Sequence, residues 1–249
     1  MSTIADHVIS ALAASGVRRV YGLPGDSLNG FTDAIRRSPE MAWEHVRHEE
    51  AAAFAAAADA ALTGRLAVCA GSCGPGNLHL INGLFDAQRS RVPVLAIAAH
   101  IPRTEIGSEY FQETHPQDLF RECSVYRELV STAEMLPRIL EMAMRAAIEE
   151  RGVAVVVIPG ELFLQKADAS AWSARPVEPT RSVIRPDEAS LQRAAAILND
   201  ANAVTILAGA GVEGSHDAVI APPRRCTRRS CTRCAARSSS STTTRSMSA

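Results

Sequence analysis

The sequence predicts an α/β protein built on a doubly wound parallel sheet with helices on both faces. Apolar segments of about six residues alternate with helical segments of about a dozen. The apolar segments are hydrophobic throughout, which is typical of parallel strands buried on both faces. Apolar residues make up 47 % and charged residues 21 % of the 249 residues, so there is enough material for a sizeable core.

The predicted elements follow one another along the first 160 residues. Ile4, Val8 and Leu12 recur at four-residue steps, which predicts a helix over 3–14 that Gly16 ends. The elements after it are a strand over 17–23, a helix over 28–36, a strand over 43–47, an Ala-rich helix over 49–62 ended by Gly64, a strand over 66–70, a helix over 77–87, a strand over 92–99, a helix through Glu150 capped by Thr132, and a strand over 153–158.

Changes in composition divide the chain into four parts. The first domain is expected over 1–160, followed by a polar, Pro-containing linker over 161–186. Over 187–220, a helix capped by Asp187 and a following strand start a second, truncated α/β unit. Residues 221–249 are predicted to be a disordered tail, because Ser, Thr and Arg dominate their composition.

The tail also differs from the rest of the chain in charge. Beyond Asp217 there is no Asp or Glu, whereas seven arginines and three of the six cysteines lie there. Cys231 and Cys234 with Cys226 could be half a zinc site, and the arginines could be a nucleic-acid-binding arm. Without a fourth ligand or an ordered scaffold, we expect neither a metal site nor a nucleic-acid partner.

The cellular location is predicted from what the sequence lacks. No apolar run reaches the ~18 residues of a membrane-spanning helix, and the N-terminus has no secretory signal. Cys69, Cys73 and Cys123 are scattered among apolar segments and fit reduced cysteines. We expect a cytoplasmic protein whose membrane association is at most peripheral.

Three loops are expected to leave the carboxyl ends of strands, where open parallel sheets bind their ligands. They are residues 24–29, 47–50 and 71–77. Each loop is ordinary when considered alone. Gly74-Pro75-Gly76 is typical of a plain tight turn, and a carboxylate such as Glu49 is favoured in the first turn of a helix by the helix dipole.

Considered together, in this order and spacing, the loops resemble one family. The motifs are Gly25-Asp26-Ser27, Arg47-His48-Glu49-Glu50, Gly71-Ser72-Cys73-Gly74-Pro75-Gly76-Asn77 and Tyr110-Phe111-Gln112-Glu113. The series is similar to the N-terminal pyrimidine-binding domain of thiamine-diphosphate enzymes, and most similar to their pyruvate oxidase and quinone-dependent pyruvate dehydrogenase branch. Acetolactate synthases share the same plan. The resemblance covers Ser2 to about Val219.

The resemblance implies a role for each of these motifs. Glu49 would be the catalytic residue: it would hydrogen-bond N1′ of the cofactor's aminopyrimidine and so promote loss of the C2 proton of the thiazolium. The cofactor would then serve as electron sink for the decarboxylation of a 2-keto acid. The residues expected beside the cofactor are Gly25, Glu49, Gly74, Pro75, Gly76 and Asn77, with Phe111 and Gln112 on the substrate side.

Simpler interpretations of several residues stay open. Phe111 and Gln112 fit loop packing equally well. His48 fits a positioned residue at a strand end, Glu50 fits a carboxylate at the surface or in an interface, and Cys73 fits a small residue in a tight turn.

The sequence supplies only part of the site that the resemblance implies. The family binds the diphosphate and Mg²⁺ in a separate domain marked by Gly-Asp-Gly, whereas the single Gly-Asp of this chain, Gly25-Asp26, is followed by Ser27. We find no cluster of oxygen ligands for a metal, and we expect only the pyrimidine half of the thiamine diphosphate site. Gly209, Gly211 and Gly214 fit a dinucleotide motif without its complete βαβ unit, so FAD is implied only for an intact relative.

The sequence thus indicates an N-terminal fragment of a thiamine-diphosphate-dependent oxidoreductase that is inactive on its own. The resemblance implies oxidative decarboxylation of pyruvate to acetate, electron transfer through FAD to a quinone, and a homo-oligomer (a dimer or tetramer in the intact family). The alternatives are a fragment of an acetolactate-synthase-like carboligase and a non-catalytic α/β interaction module. Codons can be chosen for residues 231–249 whose neighbouring frame resembles the relatives' middle domain, and we therefore interpret the tail as a frameshift near Ala221-Pro222.

Overall fold

A computed structural model of the chain describes residues 2–167, 172, 176–178, 184–201, 207–212, 214–215, 217–218 and 235–236. The chain divides into two units, Met1–Arg181 and Ser182–Ala249. The first unit carries all the candidate site residues.

The first unit is built on a six-stranded sheet with the strand order β2-β1-β3-β4-β6-β5. All neighbouring strands run parallel. This arrangement confirms the predicted fold class. The strands are β1 (Arg19–Gly22), β2 (Ala42–His45), β3 (Ala67–Gly71), β4 (Val94–His100), β5 (Tyr126–Leu129) and β6 (Val153–Pro159).

The middle of the sheet explains the continuously apolar segments. Every residue of β3, β4 and β6 is buried, because helices cover both faces and leave neither one to solvent. The edge strand β5 is only partly buried, and its sequence Tyr126-Arg127-Glu128-Leu129 places two charged residues between two apolar ones. It carries no run of apolar residues, and the sequence pattern did not predict it.

Seven helices of the described chain belong to the first unit, and they lie on both faces of the sheet. One core cluster joins α1, α2, α6 and α7 to the sheet, and the other joins α3, α4 and the segment around Phe120 to its opposite face. The helices are α1 (Ile4–Ala14), α2 (Asn29–Arg37), α3 (Glu49–Thr63), α4 (Pro75–Arg89), α5 (Pro116–Leu119), α6 (Leu136–Glu149) and α7 (Gly160–Phe163).

Local sequence signals set several helix ends. Thr3 caps α1 through a reciprocal pair of hydrogen bonds with Asp6. Gly64 ends α3 in the left-handed conformation, with φ of +67°. Gly16, with φ of +87°, follows the last turn of α1. These ends confirm the predicted boundaries at both helices.

Two helix starts differ from the prediction, and a proline explains each. We expected α4 to begin at Asn77, but it begins at Pro75. We expected Thr132 to cap α6, but a single 3₁₀ turn follows Thr132 and the α-helix begins at Leu136, with Pro137 in its first turn. Proline is favoured there because its fixed φ suits the helix and its missing N–H would have no partner in the first turn.

The expected linker begins later than residue 161. Gly160–Phe163 forms α7, in which Leu162 and Phe163 are buried. The Phe163 ring packs on that of Phe31 at a centroid distance of 5.3 Å, and the Gln165 carbonyl accepts a hydrogen bond from the Ile4 amide. The apolar side chains of this short segment therefore complete the core of the first unit.

The second unit contains the predicted helix. α8 (Glu188–Asp200) is capped by Asp187, whose carboxylate accepts the Ser190 N–H at 2.9 Å. β7 (Leu207–Ala208) pairs in parallel with β8 (Ala235–Ala236). The rest of the predicted strand before Leu207, the remainder of the tail and its three cysteines lie outside the described residues. None of the described helices is long and apolar enough to pass through a lipid bilayer.

Helices α3 and α4 approach each other closely through small residues. A Cβ placed on Gly83 would lie 2.5 Å from the Ala53 Cβ and 2.7 Å from the Phe54 backbone nitrogen. Neither atom can yield without moving the α3 backbone. The absence of a side chain at Gly83 therefore sets the distance between the two helices.

We expect Gly83→Ala to lower the free energy of unfolding by about 1–3 kcal/mol through overpacking. This sign opposes the gain of about 1 kcal/mol that the same change gives in an unobstructed helix. The measurement is urea unfolding followed by circular dichroism. Asp86→Ala, at an exposed position of the same helix, is the control, and a Gly83→Ala protein as stable as this control would contradict the close packing.

Candidate functional site

The candidate site lies where the strand order of the sheet reverses. The chain passes from β1 outward to β2 and then returns to the other side of β1 as β3. Open parallel sheets bind ligands beyond the carboxyl ends of the strands at such a crevice, because the two adjacent loops turn away from each other there. The loops that follow β1, β2 and β3 carry most of the predicted site residues.

Glu49 is the first residue of α3 and is only 6 % exposed. His48 precedes it in extended conformation, and the His48 side chain accepts the Glu50 N–H and so caps the helix. Nδ1 of His79, on α4, lies 3.0 Å from Oε2 of Glu49. The rings of His48 and His79 stack at a centroid distance of 4.3 Å. One carboxylate oxygen therefore has an imidazole partner supplied by the neighbouring helix.

The other carboxylate oxygen of Glu49 faces residues 71–76, the glycine-rich turn that follows β3. A Cβ on Gly76 would lie 3.3 Å from Oε1 of Glu49 and 3.3 Å from the Ser72 Cβ. That spacing is tighter than ordinary contact, so glycine allows the turn to approach the carboxylate closely. Among the described residues, no lysine or arginine forms an ion pair with Glu49.

Hydrogen bonds fasten the loop after β1 to the loop after β3. The Ser27 and Ser72 hydroxyls lie 2.9 Å apart, and the Ser27 hydroxyl also accepts the Cys73 N–H at 3.0 Å. A Cβ on Gly25 would lie 2.4 Å from the Ser72 Oγ. The structure thus brings Gly25 and Gly76 together around Ser72, with Oε1 of Glu49 beside Gly76.

The segment that follows β4 closes against the same turn. Gly74 has φ of +66°, and a Cβ there would lie 3.1 Å from the Gln112 Cβ. The Cys73 thiol donates to the Gln112 side-chain oxygen at 3.1 Å. Phe111, the next residue, is 80 % exposed. Gln112 therefore packs on the turn, whereas Phe111 projects from it.

Asn77 and Pro75, both predicted to lie beside the cofactor, have structural roles within the first unit. Asn77 is fully buried, and its side-chain amide donates to the Ala99 carbonyl at 2.8 Å, which ties α4 to β4. Pro75 begins α4. Glu50 is partly exposed and accepts a hydrogen bond from Asn82 at 3.0 Å, which fits the expected surface carboxylate.

His79 is the functional candidate that the sequence analysis missed. Gly76, His79 and Gly83 recur at steps of three and four, so they share one face of α4. Gly76 and Gly83 both approach α3 closely. This spacing places His79 on the side facing Glu49, and it was the available signal.

His48, Glu49 and His79 form the one group of three potential metal ligands found among the described residues, with ligand atoms within 4.8 Å of one another. The two imidazole rings are stacked with only 26° between their planes. The lone pair of an imidazole nitrogen lies in the plane of its ring, so stacked rings aim their lone pairs side by side. This arrangement suits a hydrogen-bonded carboxylate better than a metal ion.

A cavity lies at the same carboxyl edge of the sheet but beside β4, β6 and β5, where the chain passes from β4 to β5 and returns as β6. Its volume is about 100 Å³, and His100, Thr114 and Val157 are among its lining residues. His100 is 3 % exposed. Burial lowers the pKa of His100, an effect that the charge of His115 reinforces and those of Glu113 and Glu161 oppose.

Comparisons with known proteins bear on the same loops. Residues 2–119 match the family described as thiamine pyrophosphate enzyme, N-terminal TPP binding domain. An uncharacterized 42.6 kDa protein of Pseudomonas amyloderamosa is 58 % identical over 217 residues, which cover 87 % of this chain and 55 % of that protein.

Two relatives with named activities match a shorter region. A pyruvate oxidase of Lactiplantibacillus plantarum is 42 % identical over 168 residues, covering 67 % of this chain and 28 % of that protein. Acetolactate synthase 2 of Zea mays is 37 % identical over 168 residues, covering 67 % of this chain and 26 % of that protein. The chain thus spans 55 % of the first relative and little more than a quarter of these two.

We expect acid to destabilise the first unit through His100. Its pKa is lowered from 6.5 in the folded chain, so the unfolded chain binds the proton more tightly and stability falls as the pH drops below that value. His100→Gln should reduce the loss of unfolding free energy between pH 7 and pH 5, measured by urea titration at both pH values. His45→Gln, at an exposed position, is the control; equal pH dependence in all three proteins would contradict the assignment.

Proposed function

We propose that this chain, whose residues 2–119 match the N-terminal TPP binding domain of thiamine pyrophosphate enzymes, holds the aminopyrimidine half of thiamine diphosphate in the crevice between the loops that follow β1 and β3. The observation that carries the proposal is the buried carboxylate of Glu49, placed between His79 and the glycine-rich turn. Glu49 would be the group that contacts the cofactor ring.

The surroundings of Glu49 fit an aminopyrimidine. A flat, polar ring needs a hydrogen-bonding group at one edge and backbone on which it can pack closely. Oε1 of Glu49 supplies the first, and the backbone at Gly74 and Gly76, which carry no side chains, supplies the second. With Oε2 engaged by His79, Oε1 is the oxygen left for a ring nitrogen.

Thiamine diphosphate, when bound, would supply an electron sink for the decarboxylation of a 2-keto acid. The chain's own contribution would be to hold a proton between Oε1 of Glu49 and the ring nitrogen N1′. His79 would fix the carboxylate orientation, since an ionised carboxylate accepts hydrogen bonds and the imidazole N–H donates one. Burial of Glu49 would exclude water that could otherwise take its place.

Gln112 and Phe111 would form the substrate side of this crevice. Gln112 packs on Gly74 and accepts the Cys73 thiol, which places the segment over the same turn that would receive the cofactor. Phe111, largely exposed in the chain alone, would cover the reacting atoms once another part of the enzyme faces it.

A complete enzyme would need more than these residues. We propose that the diphosphate and Mg²⁺ are held by a domain of the Gly-Asp-Gly type, which this sequence lacks, and that a second subunit of a homo-oligomer presents that domain. The exposed apolar side chains Phe54, Leu78 and Phe111 near the crevice would be covered in such an assembly. On its own, the chain would supply a half-site and be inactive.

The preferred reaction of the complete enzyme is oxidative decarboxylation of pyruvate to acetate and CO₂. Water supplies the added oxygen, and two electrons pass through FAD to a quinone. The likeness to a pyruvate oxidase at 42 % identity supports this reaction. The likeness to an acetolactate synthase at 37 % identity supports the alternative, in which two 2-keto acids are joined with release of one CO₂ and without net oxidation.

The half-site is tested with the free aminopyrimidine of thiamine, labelled with nitrogen-15 at N1′. We expect weak binding to the chain, with a nitrogen-15 shift that reports a proton at N1′. Glu49→Ala should weaken binding about tenfold, the scale of a hydrogen bond to a charged group. Glu49→Gln should retain binding and lose the shift of a protonated nitrogen, because an amide cannot share a proton in this way.

Glu50→Gln, one residue along the same helix, is the matched control and should behave as the unaltered chain. Adding the diphosphate and Mg²⁺ should bring no measurable gain in affinity over thiamine. Tight binding of thiamine diphosphate by the chain alone would show that more than a half-site is present. An unchanged N1′ signal in Glu49→Gln would remove the role of Glu49.

Product analysis separates the two reactions. The nucleotide sequence across the codons for residues 220–225 is determined first. A longer protein is then made by restoring the reading frame in which the domain continues. We expect this protein, given pyruvate and a quinone analogue, to form acetate and the reduced quinone, and Glu49→Gln to lower the rate about 100-fold or more. Acetolactate without quinone reduction would establish the carboligase instead. Codons whose neighbouring frame does not encode a continuation of the domain would contradict the frameshift interpretation.

A further inference from the structure

The segment between β4 and α5 is folded around one side chain, that of Glu113. Its Oε1 accepts the Gly107 N–H at 2.6 Å, and its Oε2 accepts the Tyr110 N–H at 3.2 Å. The Glu113 N–H in turn donates to the Tyr110 carbonyl at 2.6 Å. Both carboxylate oxygens of Glu113 are therefore used to close a loop over residues 107–113.

The backbone of this loop is not held by regular secondary structure. Gly107 and Glu109 both have positive φ, +89° and +60°, and the second of these is uncommon for a residue other than glycine. No strand or helix is assigned over residues 106–115. The conformation therefore depends on the hydrogen bonds to the Glu113 carboxylate.

The closed loop places its neighbour against the candidate site. Gln112 precedes Glu113 directly and packs on the turn at Gly74, where its side-chain oxygen accepts the Cys73 thiol. Cys73 is 5 % exposed beneath this contact. Any rearrangement that releases the Glu113 carboxylate would lift Gln112 from the turn and uncover the Cys73 thiol.

We propose that Glu113 is a positioning residue: by gathering the Gly107 and Tyr110 amides, its carboxylate fixes Gln112 against the glycine-rich turn and sets the direction of Phe111. The proposal rests on the proposed function only in naming the crevice that these two residues face. Glu113 itself would touch neither cofactor nor substrate.

The charge of Glu113 fits this role. The backbone N–H groups of the loop hold the pKa of Glu113 below its ordinary value, and the nearby His115 adds to the effect. His100 also faces this carboxylate from β4. The loop contribution should therefore be constant at neutral pH and be lost only in acid, as the pH falls through the lowered value.

The first test uses Cys73 as a reporter in the full chain, without cofactor. The rate of alkylation by iodoacetamide is measured at each cysteine by site-resolved mass spectrometry. Cys69 and Cys123 serve as internal references, because burial raises the pKa of their thiols to about 12 and about 11. We expect Glu113→Ala to increase the alkylation rate at Cys73 about tenfold.

Two further variants sharpen this result. Glu113→Gln keeps one acceptor oxygen and should give an intermediate rate. Glu109→Gln removes an exposed carboxylate of the same loop and should leave the rate unchanged. A folded Glu113→Ala protein that is alkylated at the unaltered rate would overturn the proposal, as would an equal increase in Glu109→Gln.

The second test needs no variant and remains decisive if Glu113→Ala fails to fold. Hydrogen exchange is measured at the Gly107 and Tyr110 amides across pH, with the Ile97 amide of β4 as reference. We expect both loop amides to be protected at neutral pH and to lose protection in acid while Ile97 keeps it. Unprotected loop amides at neutral pH, or protection that follows Ile97 at every pH, would overturn the proposal.

These outcomes are independent of the aminopyrimidine test. If the loop behaves as expected but the aminopyrimidine does not bind, the proposed function fails and the folding role of Glu113 stays. If the aminopyrimidine binds and the loop amides are unprotected, Glu113 is excluded while Glu49 keeps its role.

Discussion

The candidate site depends on one physical constraint, the close approach of α3 and α4. A carboxylate that is almost fully buried is costly unless a hydrogen-bond partner compensates it. Glu49 begins α3, and its partner His79 lies on α4, so the carboxylate can be buried only while the two helices stay in register. Ala53 and Gly83 hold that register by leaving only the Ala53 methyl group between the backbones. The chemistry proposed for Glu49 therefore depends on Ala53 and Gly83, two residues without a polar or reactive side chain.

Much of the fold and the centre of the site could be predicted from the sequence, and the reasons are local. Continuous apolar runs gave the central strands, and glycine and proline marked the turns. The motifs around Gly25, Glu49 and Gly76 follow consecutive parallel strands, whose carboxyl ends share one edge of the sheet. The contacts of His79 and Glu113 were not predicted. They depend on how one face of α4 packs and on how an irregular loop folds, and neither produces a strong periodic pattern in the sequence. The edge strand β5 was not predicted because its four residues, two of them charged, are only partly buried and form no apolar run.

The residues of the candidate site support the proposed cofactor better than they support the proposed reaction. The residues around Glu49 would bind the aminopyrimidine ring and hold one proton at it. Oxidases and carboligases that use thiamine diphosphate would both need these two functions. What distinguishes these reactions is the fate of the electrons after decarboxylation. The matches cover only 28 % of a pyruvate oxidase and 26 % of an acetolactate synthase, so they do not distinguish the two reactions.

The serine pair that joins the loops after β1 and β3 has a consequence for how such a domain can change over time. Ser27 and Ser72 bond to each other, and Ser72 also fills the space that a side chain at Gly25 would need. A side chain at Gly25 would meet the volume that Ser72 occupies, so a larger residue there is acceptable only with a simultaneous change at Ser72. Substitutions at Gly25 and Ser72 should therefore occur together among descendants of this fold.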